Sequence, residues 1–222
     1  MGASGGVDSA MIKLFGDSPT FTATATVQVV DSNHNEWLRM PSTFNALNGK
    51  FRLDIDKSQI KSTKLPPGTV ALDKRFGTDK VSSVTRTDTH MIYIIYPNAQ
   101  SYVNMPLMGQ DAIPANQKLT RTAFGHEKIN GHACVKNHCV VKNAKGAVLL
   151  DALTWNAADL KDFPLRIETK ENGNTTIMLF QQVSFANPDA RLFEAPAGYQ
   201  RFNDPNTLLE AMMKRAEATQ KK

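Results

Sequence analysis

From Thr20 to Val30 apolar and polar residues alternate. Phe21, Ala23, Ala25, Val27 and Val29 fall on one side, and Thr20, Thr22, Thr24, Thr26 and Gln28 on the other. A period of two built from Thr and Val predicts a strand with one face buried. Lys50–Asp56 reads the same way, with Phe51, Leu53 and Ile55 against Arg52, Asp54 and Asp56. Further strands are predicted at Trp37–Phe44, Lys80–Arg86, His90–Tyr96, Ala99–Met105, Lys118–Ile129, His132–Lys142, Ala147–Trp155, Pro164–Glu171 and Asn174–Phe185. Between them lie Asn48-Gly49, Asn130-Gly131, Asn143-Ala-Lys-Gly146 and Asn172-Gly173. Asn and Gly tolerate the positive φ that tight turns demand. Asp31–Asn35 is another turn, and Asp111–Gln117, with Pro114, is a loop. Met91 to Tyr96 is apolar on both sides, so both faces of the sheet need cover there.

Helical patterns are few. Ser9–Gly16 fits a short amphipathic helix, capped by Ser9 and stopped by Gly16. Val70–Phe76 fits a second, ending at Gly77, and Asn206–Gln220 a closing helix with Leu208, Leu209, Met212, Met213 and Ala216 on one side. Residues 1–8 are small and Gly-rich and are expected to be flexible. Residues 9–222 have the length of a single domain. The strands number about eleven, and short connections make neighbours antiparallel. So many strands in one domain curl into a barrel or split into a sandwich. The fold class is mainly β.

Composition narrows the function. With 41% hydrophobic and 21% charged residues in 222, the chain is ordinary for a globular protein. The net charge of +5 is spread along it, and Lys221-Lys222 is the only dense basic run. That describes a solvated surface and not a nucleic-acid patch, although weak attraction to anionic lipid stays compatible with it. No apolar run approaches the ~18 residues of a membrane span. Met1-Gly-Ala-Ser-Gly-Gly lacks the charged and apolar regions of a signal peptide. The protein is then either cytoplasmic, or exported with its signal peptide absent here. Two cysteines leave the redox compartment open.

His126, His132, Cys134, His138 and Cys139 lie within 14 positions and suggest zinc. A two-residue turn at Asn130-Gly131 argues against it. Ile129 then faces His132, Glu127 faces Cys134, and His126 faces Val135 on the opposite side of the sheet from His132 and Cys134. His138 shares their side but lies ~13 Å beyond Cys134 at ~3.3 Å per residue. No metal or cofactor is expected. A Cys134–Cys139 disulfide would need a turn at Lys136-Asn137. The better turn is Asn143–Gly146, which leaves both thiols on one strand, pointing opposite ways, ~16 Å apart and unbonded. Cys139 would then point inward beside Val135 and Val141. A thiol enzyme built on Cys134 and a nearby His has little support, since there is no Gly-x-Ser-x-Gly elbow and a buried structural thiol explains Cys134 better. Asp54/Asp56 and Asp159/Asp162 read as a solvated face and a cap, not as acid–base pairs.

Several segments resemble the lipoprotein-localisation superfamily, the LolA/LolB-like proteins, and more closely an uncharacterised bacterial branch of it. They are Tyr96-Pro97, Tyr102-Val-Asn-Met105, Glu127-Lys-Ile-Asn-Gly-His-Ala-Cys134, Trp155-Asn-Ala-Ala-Asp-Leu-Lys-Asp-Phe-Pro164 and Leu192-Phe-Glu-Ala-Pro196, in order across residues 20 to 205. The resemblance implies an unclosed antiparallel barrel of about eleven strands under short helices. It also implies an apolar cavity and a periplasmic or outer-membrane-associated setting in the cell envelope. No lipobox cysteine is visible. The expected function is non-catalytic binding of a lipid, an acyl chain or a lipidated protein, by a monomer. The alternative is an envelope sensor or scaffold that holds a protein partner on the concave sheet. Met91, Tyr93, Ile95, Tyr102, Met105 and Phe180 are the candidate pocket residues. A packed core would use the same side chains. The inner wall of a large curved sheet, too broad for one or two short helices to fill, favours the pocket. Of the two sides of Met91–Tyr96, the odd-numbered one is expected inward, because Tyr96 precedes Pro97 at a strand end where its phenol can reach water.

Overall fold

The computed structural model describes residues 9–16, 19–107 and 116–220. The expected flexible start at 1–8 and most of the 111–117 loop lie outside them. A short helix α1 (Ser9–Ile12) continues as a 3-10 turn through Lys13–Phe15 and stops at Gly16, whose φ is 103°. The strands are β1 (Thr20–Val30), β2 (Glu36–Leu47), β3 (Lys50–Asp56), β4 (Lys61–Ser62), β5 (Lys80–Arg86), β6 (Met91–Tyr96), β7 (Ser101–Pro106), β8 (Lys118–Ile129), β9 (His132–Lys142), β10 (Val148–Ala157), β11 (Phe163–Glu171), β12 (Asn174–Ser184) and β13 (Gln200–Phe202). Helix α2 spans Thr69–Phe76 and α3 spans Pro205–Gln220. Gly77 ends α2 in the left-handed region at φ 70°. A Cβ there would stand 3.0 Å from the Ala99 backbone nitrogen, so Gly also permits the close approach of the Pro97–Ala99 turn.

Among the described residues thirteen strands form one open sheet, in the order β13-β7-β6-β5-β3-β2-β1-β12-β11-β10-β9-β8, with β4 beside β2. Two meanders, β1 to β7 and β8 to β12, are joined where β1 pairs with β12. Every pairing is antiparallel except β13 with β7. The two strands not foreseen, β4 and β13, have two and three residues, too few to show alternation. The turn at Asn130-Gly131 sets the foreseen register, with Ile129 opposite His132, Glu127 opposite Cys134 and His126 opposite Val135.

The connection from β7 to β8 requires curvature. Those strands are ten strand-to-strand steps apart in the sheet, ~48 Å if it were flat. The chain from Pro106 to Lys118 reaches at most ~43 Å. The direction of the curl is set by Phe15, whose ring centroid lies 5.6 Å from both Phe51 of β3 and Phe163 of β11. Those strands are four steps apart, ~19 Å on a flat sheet. The sheet therefore wraps around α1 and its 3-10 turn, and the face that carries Phe21, Phe51 and Phe163 is the inner one.

Candidate functional site

The inner face of β1, β2, β3, β11 and β12 is a wall of phenylalanines. Phe21, Phe44, Phe51, Phe163 and Phe180 are each at most 5% exposed. Alternation puts Phe21, Ala23, Ala25 and Val27 of β1 on this wall, and pairing carries it sideways through Phe44 and Leu53. What covers it is short. Phe15 stacks on Phe21 at 5.1 Å and meets Phe180 edge-on at 5.5 Å. Ala10, Met11, Ile12 and Leu14 are buried against the same cluster. Burying one such side chain contributes roughly 1.5–3 kcal/mol. A polar contact adds to this, since Gln117 Nε2 donates to Ser9 Oγ at 2.8 Å.

Further along the inner face, at β6 and β7, the cover changes. Val103 packs with Leu208 and Met212 of α3, flanked by Phe76, Tyr96, Met105 and Phe202. On β5, Ser83 is 4% exposed and its hydroxyl has no hydrogen-bond partner among the described residues.

The outer face of this region is closed as well. After β12 the chain crosses it as a strap, residues 185–199, before joining β13. Phe193 of the strap is fully buried with Val84 and Ile95, among Leu47, Tyr93, Tyr102 and Tyr199. Two arginines tie the strap's backbone. Arg52 Nη1 donates to the Leu192 carbonyl at 2.8 Å, and Arg86 Nη1 to the Phe193 carbonyl at 3.2 Å and to Glu194 at 2.7 Å. Arg86 also grips Asp88 through Nε and Nη2. That grip holds the Asp88 carboxyl below its ordinary pKa and the guanidinium above its own.

The six expected pocket residues therefore divide between the faces. The register sets Phe180 and Met105 on the inner, helix-covered face. It sets Met91, Tyr93, Ile95 and Tyr102 on the outer face, where the last three meet the strap. The chain brings Tyr93 to Tyr102, with ring centroids 6.2 Å apart, but not to Phe180. The alternation within Met91–Tyr96 carries no sign of this, because both sides are equally apolar. An outer groove of about 500 Å³ crosses β1, β2, β3 and β5, and its lining is mixed, with Thr24, Asp54, Lys80 and Ser82 beside Ile55 and Val81. Asp54 and Ser82 are already bonded to Arg52 and to each other.

The histidine–cysteine segment is dispersed. His132 Nδ1 lies 2.7 Å from Asp159 and His138 Nε2 2.8 Å from Asp151. Among the described residues no three His, Cys, Asp or Glu side chains converge on a metal position. Cys134 and Cys139 are free and buried. Burial pushes the Cys134 thiol above its ordinary pKa, away from the thiolate a nucleophile needs. Cys139 Sγ sits 3.3 Å from Thr154 Oγ1, at the edge of a buried polar knot. In that knot Asn156 Oδ1 accepts from Thr154 at 2.6 Å and from Asn137 at 3.1 Å, while Asn156 Nδ2 donates to the Asp162 carbonyl at 2.8 Å. It pins β9 and β10 together on the inner face, beside the phenylalanine wall. Sequence reasoning missed it, as it missed Arg52 and Arg86. The Asn beside Trp155 was the only available sign.

No family model matches the chain, and no curated protein does. Solved structures similar to it include a LolA superfamily protein from Nitrosomonas europaea, at 10% identity and a TM-score of 0.40 over 80% of this chain and 91% of that one. The Mycobacterium tuberculosis lipoprotein LppX is similar at 9% identity and a TM-score of 0.39, over 81% and 93%. The Pseudomonas aeruginosa MucA/MucB complex follows at 11% and 0.38, over 87% and 63%. Among the described residues no helix is long and apolar enough to cross a membrane.

Proposed function

We propose that this protein binds an apolar guest on the inner face of its sheet without catalysing a reaction. The guest would be a lipid, an acyl chain or the lipidated part of a protein, and the setting the bacterial cell envelope that the sequence resemblance implies. One observation carries this reading. Among the described residues, a five-phenylalanine wall is covered over Phe21, Phe51, Phe163 and Phe180 chiefly by one seven-residue segment, Ser9–Phe15. A guest of like character can replace that cover with little loss of buried apolar area. Each acyl methylene contributes ~0.8 kcal/mol, so binding needs no polar recognition and tolerates varied chains. In this reading Phe180 faces the guest with Phe21, Phe44 and Phe51, and Met105 lies further along the same wall. Tyr93, Ile95 and Tyr102 hold the strap.

An environment-sensitive fatty-acid probe tests it. Wild type should bind saturably. Leu14→Asp should bind at least about tenfold tighter, because burying a leucine contributes ~1.5–3 kcal/mol to the competing cover and each ~1.4 kcal/mol is tenfold. Thr24→Asp, on the outer face, should match wild type. Absence of saturable binding, with circular dichroism unchanged, would remove the reading. Equal affinity of Leu14→Asp and wild type would remove the displaced cover.

A further inference from the structure

Strand β8 closes the sheet on one side. It pairs with β9, and among the described residues nothing pairs with its outer edge. Half of its backbone donors and acceptors point away from β9, an open template for another strand. Edge strands are usually kept short, or are broken by proline. β8 runs for 12 residues, contains no proline, and is exposed at most of its positions. Its one irregularity is a bulge between Ala123 and Gly125, which leaves Phe124 53% exposed. Lys136 Nζ stands 5.3 Å over that ring.

The charge around this edge is one-sided. The hairpin 118–142 holds five bases, Lys118, Arg121, Lys128, Lys136 and Lys142, and one acid, Glu127. Four of the chain's five net positive charges therefore lie in it. Lys118 and Lys142 are directly opposite each other, an arrangement that costs stability. None of Lys118, Lys128 and Lys142 has a carboxylate within ion-pair distance among the described residues. A second copy of this chain is a poor occupant, because pairing β8 with β8 would oppose like charges. An acidic strand meets both requirements at once.

We propose that β8 is a docking edge for an extended, acidic polypeptide segment of a partner protein. The segment adds as a further strand and lays carboxylates beside Lys118 on one face and, past the bulge, beside Lys128 on the other, with Phe124 as an apolar anchor. Strand addition takes its affinity from main-chain hydrogen bonds, and the side chains set its specificity.

The test uses the full-length protein and a dye-labelled ten-residue peptide in which pairs of glutamates alternate with pairs of valines, so that carboxylates fall on both faces, read by fluorescence anisotropy. Binding should be saturable, and should weaken about tenfold or more in Lys118→Glu/Lys128→Glu and on raising salt. The same peptide N-methylated at every amide keeps its charge but cannot form a ladder, and it should not bind. Amide exchange across 118–129 should slow when the unmethylated peptide is bound. Equal binding by the N-methylated peptide would overturn the proposal in favour of charge attraction alone. So would binding to anionic phosphatidylglycerol vesicles that the peptide fails to compete away. Self-association through β8, lost in the double variant, would overturn it in favour of a dimer.

Discussion

The two regions of the inner face differ in what stands behind them. Around β1 the inner side carries Phe21, Ala23, Ala25 and Val27, all buried, while the outer threonines remain half-exposed. Around β6 both sides are covered, Ile94 and its neighbours by the α3 side and Ile95 by Phe193 of the strap. The covers differ as well. Helix α3 has 16 residues, is capped by Asp204, whose Oδ1 accepts from the Asn206 and Thr207 amides at 2.9 Å, and continues a chain already fixed in β13. The α1 segment has seven residues, too few for a helix to persist without its packing. Only the region around β1 has a cover that can leave without undoing a second layer.

Replacement of the two anchoring rings should separate the regions most strongly. Phe193→Ala should destabilise the fold by about 3–5 kcal/mol, the usual cost of emptying a fully buried aromatic site. Phe15→Ala should cost clearly less, although Phe15 touches four rings, because the short segment can shift or detach. Urea denaturation of both variants measures this, and equal losses would erase the distinction. Asn156→Ala should cost about 1–3 kcal/mol by leaving Thr154 and Asn137 short of a buried acceptor. It should do so whether or not α1 is in place, which a double variant with Leu14→Asp would check by additivity.

The smallest effect should come with acid, in the strap. Arg86 holds Asp88 below its ordinary carboxylate pKa. A depressed folded pKa contributes stability that is fully present above the unfolded value of about 4 and is lost as pH falls through the lowered folded value. Asp88 is 42% exposed, so solvent screens much of the interaction. Amide exchange at 189–194 should speed up in that window before exchange in β1 does. The reverse order would place the weaker fastening elsewhere.

Most of the sheet is legible in the pattern of the chain. β1, β3, β5, β8 and β9 match their predicted bounds, because alternation runs to clear turn residues at both ends of each. The pocket was less legible, for a physical reason. A strand apolar on both sides, such as Met91–Tyr96, reports that it is covered twice but not which cover is which. The orientation depends on Phe193, about a hundred residues away, and on Arg52 and Arg86, which read as polar strand residues until their carbonyl partners are seen. The segment Leu192-Phe-Glu-Ala-Pro196 carried a resemblance but no geometry. Phe180 fell on the inner wall because β12 alternates there and its partner β1 alternates clearly.

Exchange-mass-spectrometry of the protein with and without a saturating fatty acid tests the central claim most directly. The expected result is faster amide exchange at residues 9–15 in the bound protein, with α3 and the strap unchanged. Saturable binding that leaves 9–15 as protected as in the free protein would contradict a guest that takes the place of this cover.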